Sequence, residues 1–317
     1  MPYRTATPAD EAALHALWAA AFPEADAAAV VALWGRDPGR HGRTLVAEDG
    51  GGRLVSALHH LPRPIRSATG APQRVGCVGS VATRPDARGR GHVRRLLAAA
   101  VAAMTADGCA WSLLFTATPR VYEGAGWRSF AAPGWSGRPA GRTPHPGAAA
   151  VRPATAGDLP VLRALRTAYD AGRPLTTVRS ADDWAHRVPV WYAPPTRILV
   201  ATTGGAGSPA TGFVVLRRPA PGAFEVVEIA LAPGHEEAAA GALLSAAAVR
   251  ARAAGTATAT VRLPADPAVV AALPHLLADP APSPTHHGMA RPLLAPPAEV
   301  HATVTAPTAF HWPADAF

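Results

Sequence analysis

The chain repeats itself, and the repeat limits it to two copies of one fold. Arg4-Thr5-Ala6-Thr7-Pro8-Ala9-Asp10 returns as Arg152-Pro153-Ala154-Thr155-Ala156-Gly157-Asp158. Each copy reads as a short strand followed by a Thr-capped helix. The apolar face carries Leu14, Leu17 and Trp18 in one copy and Leu162, Leu165 and Tyr169 in the other. The same offset carries Val81-Ala82-Thr83-Arg84-Pro85 onto Ile229-Ala230-Leu231-Ala232-Pro233, and Leu96 onto Leu244. A single offset that holds at both ends is the mark of a tandem duplication. With 317 residues, 49% hydrophobic and 16% charged, each copy has enough chain and apolar surface for its own core.

The copies differ where the chemistry would be. In the first, the apolar run Val75–Thr83 ends in a turn, Arg84-Pro85-Asp86-Ala87. Arg88-Gly89-Arg90-Gly91-His92 follows and opens a helix with apolar residues at Val93, Leu96, Leu97, Ala100, Val101 and Met104. A glycine-rich turn entering a helix leaves backbone N–H groups unpaired and aimed one way, a cradle for phosphate oxygens. The glycines admit the anion without a Cβ in its path, and the arginines add permanent charge. In the second copy Glu236 replaces Arg88, Glu237 replaces Gly89 and Ala239 replaces Gly91. Carboxylates there repel phosphate, so the second copy is read as degenerate.

Further signals follow the first helix. Trp111–Thr116 reads as a strand, and Thr118-Pro119 as the cap and first residue of a short helix. Tyr122 precedes Gly124, Gly126 and Trp127, and Trp127–Phe130 reads as one more strand.

Strand, Arg-Gly-x-Gly loop and helix, followed by tyrosine before Gly-Trp, resemble the GNAT (Gcn5-related) N-acetyltransferases. Their pyrophosphate loop reads Arg/Gln-x-x-Gly-x-Gly/Ala; here Arg88 and Gly91 match and Val93 departs. The resemblance covers residues 3 to 135. It implies an α/β fold with a mixed sheet, arranged as two tandem GNAT domains of which the second is degenerate. The tandem layout is similar to the enhanced-intracellular-survival type of acetyltransferase, without room for a sterol-carrier domain. The expected organisation is a catalytic domain at 1–135, a Pro/Gly-rich linker at 136–150, a degenerate domain at 151–297 and a tail at 298–317 that reaches toward the active site.

The implied reaction moves an acetyl group from acetyl-CoA, as cosubstrate, to the amine of a small cationic molecule: an aminoglycoside or other antibiotic, a polyamine or lysine. A CoA-binding sensor or interaction module and a protein N-acetyltransferase are the alternatives. The resemblance assigns the pantetheine arm to the backbone of Val81, Ala82 and Thr83. It assigns the pyrophosphate to Arg88, Gly89, Arg90, Gly91, His92 and Val93, with Thr116 and Ala117 on the neighbouring strand end. Tyr122 is the candidate acid for the leaving thiolate, because a phenol near pKa 10 stays protonated at neutral pH; the alternative is that it only packs. Two groups compete as base. His59 and His60 alternate faces on one strand, which leaves one for the cleft, and His60 is the candidate. The other is the carboxylate of Phe317, which in the resembling group enters the active site.

The net charge of +8 comes with 30 basic residues, all Arg. The densest cluster (Arg84, Arg88, Arg90, Arg94, Arg95) lies on the loop and its helix, so a CoA-type ligand accounts for it without nucleic acid. No metal, nucleic-acid or membrane partner is expected, and self-association is left open. Cys77 and Cys109 read as buried thiols in a reducing cytoplasm, and no leader or long apolar run is seen.

Overall fold

The computed structural model describes residues 2–141, 149–204 and 207–317. Most of the expected linker lies outside the described residues. In the first half, β1 (Tyr3–Thr5) leads into α1 (Glu11–Ala21) and α2 (Glu24–Trp34). An antiparallel run of β2 (Thr44–Glu48), β3 (Leu54–Arg66) and β4 (Pro72–Thr83) follows. Then α3 (His92–Ala106) crosses to β5 (Trp111–Phe115), which runs parallel to β4; α4 (Arg120–Glu123) and β6 (Arg128–Ala132) come next. The second half begins with β7 (Trp135–Gly137), β8 (Ala150–Pro153), α5 (Leu159–Tyr169), α6 (Val188–Tyr192), β9 (Arg197–Thr202), β10 (Ala210–Arg217) and β11 (Ala223–Leu231). It continues through α7 (Glu236–Ala253), β12 (Thr258–Val261), α8 (Pro267–Leu276), β13 (Ala281–Pro282), β14 (Thr285–Pro292) and α9 (Pro297–Thr305).

The duplication is visible at the hydrogen-bond level. Asp10 accepts both guanidinium nitrogens of Arg4 at 2.8 Å and the Thr7 N–H at 2.7 Å. Asp158 does the same with Arg152 at 2.8 and 2.6 Å and the Thr155 N–H at 2.6 Å. In both copies one carboxylate locks the strand to the start of the helix, and the arginine fork holds it far below the usual carboxylate range.

The sheets do not divide where the sequence suggested. The first is ordered β1-β2-β3-β4-β5-β14-β6 and the second β13-β7-β12-β11-β10-β9-β8. Each half lends the other a strand. β14, placed by the sequence in the degenerate domain, pairs with both β5 and β6 of the first. β7, placed in the linker, pairs with β12 and β13 of the second. The boundaries at 135 and 297 are therefore corrected, because hydrogen-bond pairing does not follow chain order. α9 also packs on the first half, with Val300 and Val304 in one cluster with Cys77, Leu113 and Phe130.

Apolar layers flank the first sheet on both faces. Leu58 and Val78 pack on Leu96, Leu97 and Ala100 of α3. Ala57 and Ala82 pack on Leu14, Leu17, Trp18 and Trp34 from α1 and α2. β4 and β5 pair only from Val75↔Trp111 to Cys77↔Leu113 and then separate. Beyond that point β4 keeps its partner on the other side, at Ala57↔Ala82 and Ser56↔Thr83. A bulge intervenes, with Ser80 at a φ of 54°. The result is a gap whose wall is the free edge of β4, at the carboxyl ends of two parallel strands.

Candidate active site

The loop after β4 folds as its glycines require. Gly89 and Gly91 have φ of +75° and +77°, a region that L side chains avoid, and Gly91 caps α3. The first helical bond of α3 runs from the Arg95 N–H to the Gly91 carbonyl. Among the described residues no backbone acceptor meets the N–H groups of Gly89, Arg90, Gly91, His92 or Val93. These donors at the start of a fifteen-residue helix fit a pyrophosphate. The loop residues divide their roles. Arg88 spends its N–H on Pro85 at 3.4 Å, yet its guanidinium lies exposed beside the Thr83 carbonyl. Arg90 is exposed, and bonds the Asp86 carbonyl at 3.1 Å. The His92 ring turns inward and bonds the Tyr3 hydroxyl at 3.0 Å, so only its N–H faces the loop. Val93 turns its side chain against the α3 core, and the helix starts regularly despite the departure from the family pattern.

Two groups flank the gap at the end of β5. On the α3 side, Tyr122 is buried with Trp127, with ring centroids 6.5 Å apart. Burial raises its hydroxyl above the ordinary phenol value, opposed by a hydrogen bond with the Thr116 side chain. It is therefore protonated at neutral pH. Thr116 supports Tyr122; its own N–H is committed to the His287 carbonyl of the β14 strap at 2.8 Å, so it offers no free backbone donor. Ala117 lies exposed at the strand end. On the opposite face, the Phe317 ring packs 6.1 Å from Phe115, which precedes Thr116. The Phe317 carboxyl lies on Gly79 so closely that a Cβ there would overlap its oxygen and sit 2.8 Å from its carbon. Gly79 adjoins the Ser80 bulge, at the start of the free edge of β4.

His60 is not at this place, which corrects the sequence expectation. Alternation along β3 puts it on the face of Leu58, toward α3, with Asp107 of the α3 end in its field. His59 takes the other face, is buried, and bonds Thr44 Oγ1 at 3.1 Å. Burial above all, then His60 and Arg187, hold His59 down at about 3, so its ring is neutral across the physiological range. Cys77 is a core thiol pushed up by burial, and both cysteines are free.

The residues that hold the tail were missed by sequence reasoning. Arg187 Nη2 donates to the Ala316 carbonyl at 3.3 Å. Arg179 Nε donates to Asp315 at 2.7 Å and its Nη1 to Glu228 at 3.1 Å. One signal was available: Glu228 interrupts the apolar run Val226-Val227-Glu228-Ile229, and a buried carboxylate demands a partner. Glu24 and Asp26, in the segment that often walls the acceptor site, are exposed on the first turn of α2. Among the described residues no group of His, Cys, Asp and Glu is set to hold a metal ion. None of the described helices is long and apolar enough to cross a membrane.

Residues 2–130 match the family model of the acetyltransferase (GNAT) domain. No curated protein matches the sequence. Solved structures share the fold across nearly the whole chain. A GCN5-related N-acetyltransferase from Kribbella flavida is 22% identical, with a TM-score of 0.69, covering 93% of this chain and 71% of its own. A conserved protein from Enterococcus faecalis V583, described as a probable N-acyltransferase, is 14% identical with a TM-score of 0.68, covering 92% and 73%. Eis1 from Mycobacterium abscessus is 16% identical with a TM-score of 0.60, covering 92% and 74%. Residues 2–130 of this chain are thus an acyltransferase domain of the GNAT family, joined by exchanged strands to a second sheet of the same architecture.

Proposed function

We propose that the chain transfers an acetyl group from acetyl-CoA to the amine of a small cationic molecule: an aminoglycoside or other antibiotic, a polyamine or lysine. The observation that carries this reading is the placement of a protonated phenol and a carboxyl group on opposite faces of the β5 end, beside a free strand edge that leads to an N–H cradle. Gly89 to Val93 would take the pyrophosphate through their N–H groups, with Arg88 and Arg90 beside them. The free edge of Val81, Ala82 and Thr83 would pair with the pantetheine arm. The Phe317 carboxylate takes a proton from the incoming ammonium, and the freed amine attacks the thioester carbonyl. The Tyr122 hydroxyl gives its proton to the departing thiolate. A carboxylate at that point also favours a cationic acceptor over a neutral one. An aminoglycoside acceptor would make the chain a resistance factor, acting in the cytoplasm where acetyl-CoA is made.

Thiol release from acetyl-CoA with a panel of aminoglycosides, peptide antibiotics, polyamines and lysine tests the reading. Turnover is expected on one class, with kcat of Tyr122→Phe lower by about 100-fold at an unchanged melting temperature. If acetyl-CoA raises the melting temperature but no amine turns over, the sensor reading takes its place. A lysine-containing peptide preferred over every small amine would favour a protein N-acetyltransferase.

A further inference from the structure

The second half has lost the phosphate cradle, yet it carries the most heavily charged interior of the molecule. Arg166, Arg179 and Glu228 are almost fully buried, with Asp170, Arg173 and Asp315 close to it. Glu228 lies on β11 two residues beyond Val226, where the pairing with β12 ends. Burial works against its charge, but Arg179 and Arg166 hold its carboxyl below the ordinary value, so it is ionised. Tyr192 donates to the same Glu228 oxygen at 2.9 Å, and Arg166 lies 2.9 Å away. This fixes Arg179, whose guanidinium also rests 5.3 Å from the centre of the Trp184 ring.

What these groups grip is the tail. Phe310 and Trp312 are buried in the second half's core, in one cluster with Ile229 and Val261. The Trp312 ring nitrogen bonds Asp170 at 3.1 Å, and the Arg166 guanidinium stacks 4.0 Å from that ring. The Thr308 carbonyl accepts from Arg173 at 3.0 Å, and Asp315 accepts from Arg179. Only at Phe317 does the chain cross to Phe115 and Gly79 of the first half.

We propose that Arg179, fixed on Glu228 and holding Asp315, is a positioning residue for acetyl transfer: it sets where the Phe317 carboxyl stands against Gly79. The second half is then retained as a holder of the tail. This rests on the reading of Phe317 as base in the first half. Asp315 lies two residues before Phe317, and between them only the Arg187 bond to Ala316 intervenes. Releasing Asp315 therefore frees the carboxyl to wander, and a displacement of about 1 Å is enough to cost on the order of 100-fold in rate.

The test uses the full chain and three variants: Asp315→Asn, Arg179→Lys, and a chain extended by one glycine after Phe317. Release of Phe317 by carboxypeptidase, followed by mass spectrometry, reports the grip without an acceptor. It should be at least tenfold faster in Asp315→Asn, with the acetyl-CoA-induced rise in melting temperature retained. With the best acceptor of the amine panel, kcat should fall at least tenfold while KM for acetyl-CoA stays within about twofold, and the limb of the pH–rate profile assigned to the base should move. Arg179→Lys keeps the charge and should recover part of kcat, which also serves if Asp315→Asn fails to fold. A purely structural network would lower the melting temperature and leave Phe317 release, kcat of the folded enzyme and the pH limb unchanged; that result overturns the proposal. If the glycine-extended chain turns over at the full rate, the base reading itself fails. If the extension abolishes turnover while Asp315→Asn keeps the full kcat and the same pH limb, the positioning role alone is wrong.

Discussion

Gly79 is the residue on which the active site closes. The atoms that an added methyl would meet there within 4 Å all belong to Phe317. Gly79→Ala is thus expected to leave the sheet intact and push the tail away. Its kcat should drop at least tenfold, its melting temperature should stay close to wild type, and acetyl-CoA should still stabilise it in a thermal-shift measurement. Unchanged turnover would show that the carboxyl does not need to stand at the bulge. The buried histidines give a second consequence at this scale. His59 lies at about 3 in the folded chain against an ordinary value of 6.5, and burial lowers His60 and His311 in the same direction. Below 6.5 the unfolded chain takes up protons that the folded one refuses, so stability falls as pH drops from 6.5 toward 3. The slope is up to about 1.4 kcal/mol per pH unit for each such histidine. Melting temperatures between pH 7 and 5 check this; His59→Gln should shallow the decline, and a flat profile would contradict it. The loop glycines and Tyr122 were legible in the sequence because their backbone and chemical demands are local. The face of His60 was not, since alternation says that two neighbours diverge but not which side α3 will cover.

At the scale of elements, the exchanged strands decide what can fold alone. β14 supplies the neighbour of both β5 and β6, and buries Met289 and Ala290 between the two faces of the first sheet. A fragment ending at residue 135 would present two unpaired strand edges and an uncovered core, a state prone to aggregation. It should be insoluble or fail to show a cooperative melt, although it contains every residue of the acetyltransferase match. A soluble fragment with a sharp transition would mean that β6 closes onto β5 without help. The sequence marked Thr285–Pro292 only as part of a second copy. A short strand pattern does not say which sheet it will join, because its hydrogen bonds are made by the backbone, which is the same in every strand. Both ends of the duplicated unit were visible for the opposite reason. Arg4, Thr7 and Asp10 form a lock whose parts lie within a few residues, so its recurrence at Arg152, Thr155 and Asp158 is readable from identity alone.

Across the whole molecule, the two halves exchange structure in both directions. The first receives β14, α9 and Phe317; the second receives β7 and holds Phe310 and Trp312. Leu175–Val178 also runs beside the long β3 hairpin, with the Arg66 N–H on the Thr176 carbonyl at 2.9 Å and the Val178 N–H on Pro64 at 2.8 Å. With contacts shared in this way, calorimetry should record one unfolding transition rather than one for each copy. The melt should follow a two-state curve whether monitored by tryptophan fluorescence or by far-ultraviolet dichroism. Two separated transitions would show that the exchanged strands couple the halves weakly. The shared contacts also set a schedule for synthesis. β6 is made about 150 residues before β14, which at ribosomal rates is a wait of roughly 10–30 s. Throughout it the first sheet lacks its inner strand, so the growing chain holds a binding loop for acetyl-CoA without a folded sheet to present it. A ribosome that stalls in that interval leaves a nascent chain that chaperones must shelter and that has no acetyltransferase activity.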